Sequence, residues 1–358
     1  MERTFVFPKA AFCDFFDLLK GLGQVIAPVR VSAMSFSFKP VESADEIAFE
    51  ALRTILPPKK LFFQPRETLI KYNETEIAEC IPQVEPQVLF GVHPCDLAGL
   101  GAMDKIYGAD PQDSHYMARR RKTTIVGLSC MPDKYCFCYS LGTHAPNGDY
   151  DLFLTDIGDR FFVAVRTARG LDIIDGGKDL FKPAASADKE RFKQFLTARE
   201  AAFVSGFSST ALPQLMDMEW DNPIWQELGD RCLSCGNCTP VCPTCYCFDV
   251  IDVAGLQASQ GERVREWDSC QLAGFAKVSG EFNFRPGPVD RLKFWYRHKL
   301  HGFEDAYGLP SCVGCGRCTV SCPSGIDDIV GVVLRLQGKE DPRAGAEGKP
   351  SSQGDSVP

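Results

Sequence analysis

No stretch of this chain approaches the roughly 18 uninterrupted apolar residues that a membrane-spanning helix needs. The opening segment, MERTFVFPKAAFCDFF, lacks the charged start and long apolar run of a secretory signal. From these two absences we expect a cytoplasmic protein with no membrane span. Basic charge is also short: the net charge is -8, which argues against nucleic acid as the main partner. Nucleotide-binding turns are missing. Gly99-Leu-Gly101-Ala-Met-Asp104 starts like a dinucleotide loop but carries Asp where the final glycine is required. There is no P-loop and no Ser/His/Asp ordering. The chain is therefore not expected to hold NAD(P), flavin or ATP, and electrons would have to enter and leave through partners.

Cysteine, by contrast, is abundant, with 17 residues. An odd number fits disulfides poorly, and in a cytosolic chain motif-spaced cysteines more often bind metal. Two runs share one pattern. The first is Cys232-Leu-Ser-Cys235-Gly-Asn-Cys238-Thr-Pro-Val-Cys242-Pro243, and the second is Cys312-Val-Gly-Cys315-Gly-Arg-Cys318-Thr-Val-Ser-Cys322-Pro323. Each reads C-x2-C-x2-C-x3-C-P, the run that ligates [4Fe-4S] clusters in bacterial ferredoxins. Three closely spaced thiolates hold one cubane, and the fourth, ahead of proline, belongs to the other cluster. Crossed ligation follows as the expectation: Cys232, Cys235 and Cys238 with Cys322, and Cys312, Cys315 and Cys318 with Cys242. A pair of such clusters passes electrons one at a time, and exposed cubanes suit an anaerobic setting.

Length and patterning divide the chain. Residues 1–205 read as an α/β domain. Lys9 to Lys20 has apolar residues at helical spacing and stops at Gly21. Ser43, followed by Asp45 and Glu46, reads as a helix start. Val88–Val92 and Thr124–Leu128 are short apolar runs typical of buried strands, and Asp151–Thr155 with Phe161–Val165 read as a hairpin around residues 158–160. Lys189 to Phe203 reads as a helix. Residues 206–220 carry the Gly, Ser, Thr and Pro of a linker. Residues 221–337 hold both cysteine runs, and the 70 positions between Cys242 and Cys312 suggest an α-helical ferredoxin-like domain with a long insert. Residues 338–358 have the composition of a disordered tail.

A third cysteine group lies in the first domain. Cys95 follows the Val88–Val92 strand. Cys130 follows Thr124–Leu128 and leads to Cys136 and Cys138. If the two strands are parallel neighbours, Cys95 and Cys130 share the carboxyl edge of the sheet, where α/β sheets place ligands. The loop after Cys130 would then fold Cys136 and Cys138 back to the same point and complete a third [4Fe-4S] site. The alternatives are ordinary core packing, a redox thiol pair, or zinc held by four thiolates. His93 and Asp96 are substitute ligands, although a histidine before proline on a loop is more often a hydrogen-bonding residue.

Weaker features remain open. Cys245, Cys247 and Cys270 either bind metal or pack against the first cluster, and Cys13 and Cys80 read as structural. Arg285 to His301 carries a local charge of +4. It would steer an acidic redox partner, offset the negative charge of thiolate-ligated clusters, or form a solvated helix face with Phe294, Trp295 and Leu300 turned inward.

The segments HPCDLAGL (93–100), CMPDKYCFCYSLGT (130–143), CLSCGNCTPVCPTCYCFDV (232–250), WDSC (267–270), FNFRPGPVDRLKFWYRHKL (282–300) and CVGCGRCTVSCPSGID (312–327) together resemble a family. They resemble the iron-sulfur β subunit of sulfhydrogenase-type cytoplasmic NiFe hydrogenases. They equally resemble the corresponding iron-sulfur subunit of anaerobic sulfite reductase and the flavin-oxidoreductase subunits linked to heterodisulfide reductase. The resemblance spans about residues 5 to 337. It implies a non-catalytic subunit that relays electrons between a ferredoxin-reductase-like partner carrying FAD and NAD(P)H and a catalytic hydrogenase, sulfite reductase or heterodisulfide-reductase-like partner. The rival expectation is a stand-alone enzyme whose substrate reacts at an N-terminal cluster with an open iron.

Overall fold

The computed structural model describes residues 3–255, 259–326, 328–341 and 343. An eight-stranded sheet forms the first half. Its strands are β1 (Arg3–Pro8), β2 (Gln24–Ser32), β3 (Ser35–Pro40), β6 (Gln87–Val92), β7 (Thr123–Leu128), β8 (Leu152–Asp156), β9 (Arg160–Val165) and β10 (Lys182–Pro183), in the order β10-β1-β9-β8-β7-β6-β2-β3. The remaining strands, β4 (Arg66–Tyr72), β5 (Ile77–Glu79), β11 (Phe248–Ala254) and β12 (Gly261–Trp267), make a second sheet ordered β11-β12-β4-β5.

The centre of the large sheet is parallel: β2 with β6, β6 with β7 and β7 with β8. A parallel strand covered on both faces reads as an unbroken apolar run, which is what β6 and β7 are. All of β7 and all but the first residue of β6 are buried. One face is covered by α1 (Phe12–Lys20) and α4 (Ala168–Gly176), through Phe12, Phe15, Phe16, Leu19, Ile173 and Ile174. The other is covered by α2 (Pro94–Tyr107) and α3 (Ser114–Arg121), through Leu97, Leu100, Met103, Tyr107 and Tyr116. The expected hairpin is β8–β9, paired antiparallel from Leu152↔Val165 to Asp156↔Phe161. The expected helix at Lys189–Phe203 is α5 (Ser186–Ala201).

The second half packs α6 (Leu212–Met218), α7 (Ile224–Arg231), α8 (Pro288–Leu300), α9 (Glu304–Tyr307), α10 (Arg317–Ser321) and α11 (Ile329–Leu336). Leu212, Trp225, Leu228, Leu292, Trp295, Tyr296, Val333 and neighbouring side chains form its core.

Four expectations need correction. Ser43 does cap, and Glu46 returns the bond to the Ser43 amide, but the result is one 3₁₀ turn because the backbone at Ile47 is already extended. Residues 206–220 contain α6, whose Leu212 and Met216 are buried one helical turn apart. The insert between the cysteine runs is only partly helical. It begins with the β11–β12 hairpin, and β12 pairs with β4, so the two halves of the sequence share a sheet. Buried charge holds that junction. Arg265 of β12 binds Glu67 of β4 at 2.6 Å and also pairs with Asp113, while Arg119 binds Glu67 at 2.7 Å. On α8, Phe294 is 38% exposed, whereas Trp295 and Leu300 are buried as expected. The expected tail lies largely outside the described residues, and within it Arg343 pairs with Asp328.

Candidate metal centres

The parallel pairing of β6 and β7 brings two loops to one sheet edge. Cys95 is the second residue of α2, directly after β6, and Cys130 follows β7. The loop beyond Cys130 turns back so that Cys95, Cys130, Cys136 and Cys138 line a single small cavity. Arg53, His144, Arg199 and Arg317 border the same space. Arg53 donates to Cys136 Sγ at 2.9 Å and to the Cys315 carbonyl at 2.7 Å, and holds Asp133 in a bidentate pair. The substitute ligands are otherwise engaged. His93 bonds the Leu128 and Ala51 carbonyls through its two ring nitrogens, each at 2.9 Å. Asp96 is locked in a bidentate pair with Arg317 at 2.6 and 2.7 Å.

Arg317 lies between Cys315 and Cys318, so that ion pair ties the N-terminal cysteine group to the second cysteine run. Other bonds repeat the tie. The Phe137 amide donates to the Gly314 carbonyl at 2.9 Å, and Thr143 Oγ1 donates to the Val313 carbonyl at 2.7 Å. The contact requires glycine. Gly314 has φ +65°, and a Cβ there would lie 2.5 Å from the Cys138 amide nitrogen. At Gly316, φ is +72° and a Cβ would lie 2.4 Å from the Tyr135 carbonyl oxygen.

A second cavity is lined by Cys242 from the first run together with Cys312, Cys315 and Cys318 from the second. Trp295 and Lys299 of α8 also line it. Lys299 Nζ donates to Cys242 Sγ at 2.9 Å and to Thr244 Oγ1 at 3.2 Å. The indole N–H of Trp295 is buried and has no acceptor among the described residues. Cys315 borders both cavities. The other four cysteines of the two runs are less enclosed. Cys238 is buried, Cys232 and Cys322 pack partly buried against the same core, and Cys235 is exposed. Arg231, just before Cys232, donates to the Ser324 carbonyl just beyond Cys322, so the ends of the two runs meet.

Left to the protein alone, the enclosed thiols keep their protons. Burial pushes Cys130 up to about 12 and Cys136 up to about 11, with Arg53 partly offsetting the effect at Cys136. Burial raises Cys95 and Cys138 too, and Asp96 adds to it at Cys95. Cys242 goes the other way. Burial acts to raise it, but Lys299 and then Lys59 outweigh burial and hold it below its ordinary value. Thiolate ligation in these cavities therefore needs positive charge from a bound metal centre and would release protons as it forms. Among the described residues, no three His, Cys, Asp or Glu side chains are arranged to hold one metal ion. A cubane presents four separate irons, so it suits thiols spread around a cavity. Cationic rims and an unpaired indole donor likewise suit an anionic, sulfide-bearing group.

Three further cysteines run on from Cys242: Cys245, Cys247 and Cys270. Cys247 lies within hydrogen-bonding reach of both Cys245 and Cys270. Lys59 reaches in from the first half, donating to the Cys245 carbonyl at 2.7 Å with its ammonium 4.5 Å from the Trp267 ring. Sequence reasoning overlooked Lys59, Arg53 and the pairing role of Arg317, since nothing local to them signals a partner 83 to 221 positions away.

A 4Fe-4S dicluster domain model matches residues 231–326, the span of both cysteine runs. Sulfhydrogenase 2 subunit beta of Pyrococcus furiosus is 39% identical over 318 residues, covering 89% of this chain and 94% of that protein. The chain belongs to the sulfhydrogenase β-subunit family. No solved structure matches it. With its dicluster domain, this family member is an iron-sulfur protein of the electron-transfer type. Among its described residues, no helix is long and apolar enough to cross a membrane.

Proposed function

We propose that this chain is the electron relay of a cytoplasmic multi-subunit oxidoreductase, with three [4Fe-4S] sites. Cys95, Cys130, Cys136 and Cys138 hold the first, Cys312, Cys315, Cys318 and Cys242 the second, and Cys232, Cys235, Cys238 and Cys322 the third. Bound there, cubanes supply one-electron carriers. The observation that carries the reading is Cys315, which borders both the N-terminal cavity and the ferredoxin cavity. Two centres separated by one residue, and by the Asp96–Arg317 bolt, suit transfer between them. The helices α8, α10 and α11 that line the second cavity support an α-helical ferredoxin-like core, with the β11–β12 hairpin added to it.

The partners follow from what the chain carries. A one-electron relay without a nucleotide site needs a flavoprotein that accepts a hydride from NAD(P)H, and a catalytic partner at its far end. A hydrogenase-type catalytic partner is the first to test, given the relative's name, ahead of the sulfite reductase and heterodisulfide-reductase types. Cys95 lines its cavity with the other three cysteines, which does not favour an open iron and hence a stand-alone enzyme.

Iron and sulfide analysis of anaerobically purified protein is expected to give about 12 of each per chain, four per cubane. Cys136→Ala should remove about four. A value near eight that Cys136→Ala leaves unchanged would remove the N-terminal site from the proposal. NADH or NADPH should not bleach the visible absorbance until a flavoprotein partner is added. Bleaching without one would return the chain to the enzyme class.

A further inference from the structure

We infer that Lys299 raises the reduction potential of the centre held by Cys242, Cys312, Cys315 and Cys318. The inference rests on the relay proposed above. Lys299 is 3% exposed and lies on the last turn of α8. Its ammonium bonds Cys242 Sγ at 2.9 Å and Thr244 Oγ1 at 3.2 Å, and its carbonyl accepts the Cys312 amide at 3.0 Å. The residue is thereby fixed to a cysteine from each run.

No carboxylate pairs with this ammonium among the described residues, and a buried cation is costly unless something anionic answers it. The groups placed to do so are sulfurs: Cys242 and, further off, Cys245 and Cys312. A cluster becomes more negative by one unit on reduction. A fixed positive charge and an N–H···S bond at a ligand sulfur both stabilise that reduced form, so both raise the potential.

The N-terminal cavity has a comparable donor, Arg53 on Cys136, but there Asp133 cancels the charge. Arg317 beside Cys315 is cancelled in the same way by Asp96. Lys59 is buried near the second cavity, but its ammonium donates to the Thr239 and Cys245 carbonyls. It contributes charge without a sulfur bond. Of these four cations, Lys299 alone combines an uncompensated charge with a bond to a proposed ligand.

The test is a redox titration of the full, cluster-loaded chain followed by electron paramagnetic resonance. Wild type, Lys299→Arg, Lys299→Gln and Lys299→Met would be compared after iron analysis. In Lys299→Met, one of the signals should move to lower potential by at least 59 mV, a tenfold change for one electron, with the others unmoved. Lys299→Arg should stay near wild type, and Lys299→Gln should fall between. Fully loaded Lys299→Met with every midpoint unchanged would overturn the inference. So would loss of iron in all three variants, which would make Lys299 a structural requirement. Wild-type protein without cubane signals would instead refute the relay itself, before any variant is considered.

Discussion

Removing one member of the Asp96–Arg317 pair should damage this protein more than removing any surface ion pair. The two side chains are 2% and 3% exposed, and their two oxygens and two nitrogens meet at 2.6 and 2.7 Å. Water cannot replace either partner there. Asp96→Ala leaves the Arg317 guanidinium buried, with the Thr54 carbonyl at 3.2 Å as a remaining acceptor. Breaking such a pair typically costs about 3–5 kcal/mol, because one charge is stranded. Replacing both ends with apolar residues of similar volume, Asp96→Leu with Arg317→Met, should recover much of that loss. Arg335–Glu227 serves as the surface control, since its side chains are 50% and 48% exposed and a solvated pair contributes little. The assay is anaerobic urea unfolding followed by tryptophan fluorescence, with iron content measured on the same samples. We expect a clear fall in midpoint for Asp96→Ala, partial recovery in the double variant and little change for Glu227→Ala. The ordering matters more than any one value. If Asp96→Ala unfolds at the wild-type midpoint with full iron, the pair does not bolt the N-terminal cysteines to the second run, and the account of the joined cavities fails.

Gly314→Ala would place a Cβ 2.5 Å from the Cys138 amide nitrogen, so iron content should fall, whereas Gly325→Ala, with open space around it at a similar φ of +62°, should leave it near wild type. His298 is held down to about 4 by burial, then by Lys299 and Arg285, against an ordinary 6.5, and it packs on Tyr246 and Phe294. Its folded value lies below its unfolded one, so its contribution is complete above pH 6.5 and is lost as the pH falls toward 4. The loss should reach about 2 kcal/mol by pH 5. Unfolding midpoints at pH 7 and pH 5 should therefore differ less in His298→Phe than in wild type. Trp295→Ala, which empties a fully buried position beside the second cavity, should cost about 3–5 kcal/mol in the same unfolding assay.

What could be read from the sequence was local. β6 and β7 are short apolar runs whose period says only that both faces are covered, and that sufficed to bring Cys95 and Cys130 to one edge. The β8–β9 hairpin turns at residues adjacent in sequence, and the two cysteine runs carry their spacing within a dozen positions. What escaped was non-local or ambiguous. β12 finds its partner β4 about 190 positions earlier, and neither strand announces the other. Pro213 made residues 206–220 look like a linker, yet it sits in the first turn of α6, where proline's missing N–H costs nothing. The buried spacing of Leu212 and Met216 was the available signal. The Ser43 capping box formed as read, but the backbone turns extended at Ile47, so it capped a single turn although Ile47, Ala48, Ala51 and Leu52 stand at helical spacing.

The same logic revises the role of the basic stretch on α8. Read as sequence, Arg285 to His301 offered a patch for an acidic partner or a counter-charge to thiolate-ligated clusters. In the fold, Arg291 and Lys299 are buried, Arg297 pairs with Asp217 and Lys293 with Asp221. An acidic chain thus places uncompensated cations inside, beside cysteine loops, in Lys59 and Lys299, whereas Arg53 and Arg317 are neutralised by Asp133 and Asp96. Four thiolates around a cubane make a net anion, and an interior that holds such groups must carry positive charge close to them. Docking then falls to other surfaces. Cys136 and Cys138 are buried, whereas Cys235 is exposed, as are Leu233, Phe282 and Phe284 at 67%, 59% and 67%. Electron transfer to a partner needs a centre near the surface, and a centre held by the first cysteine run would lie near exposed Cys235 and Leu233. The relay proposed above would then have its enclosed end at the N-terminal cavity, its middle at Cys315 and an outlet at Cys235. Substituting Leu233 should therefore impair exchange with a partner protein while leaving iron content intact.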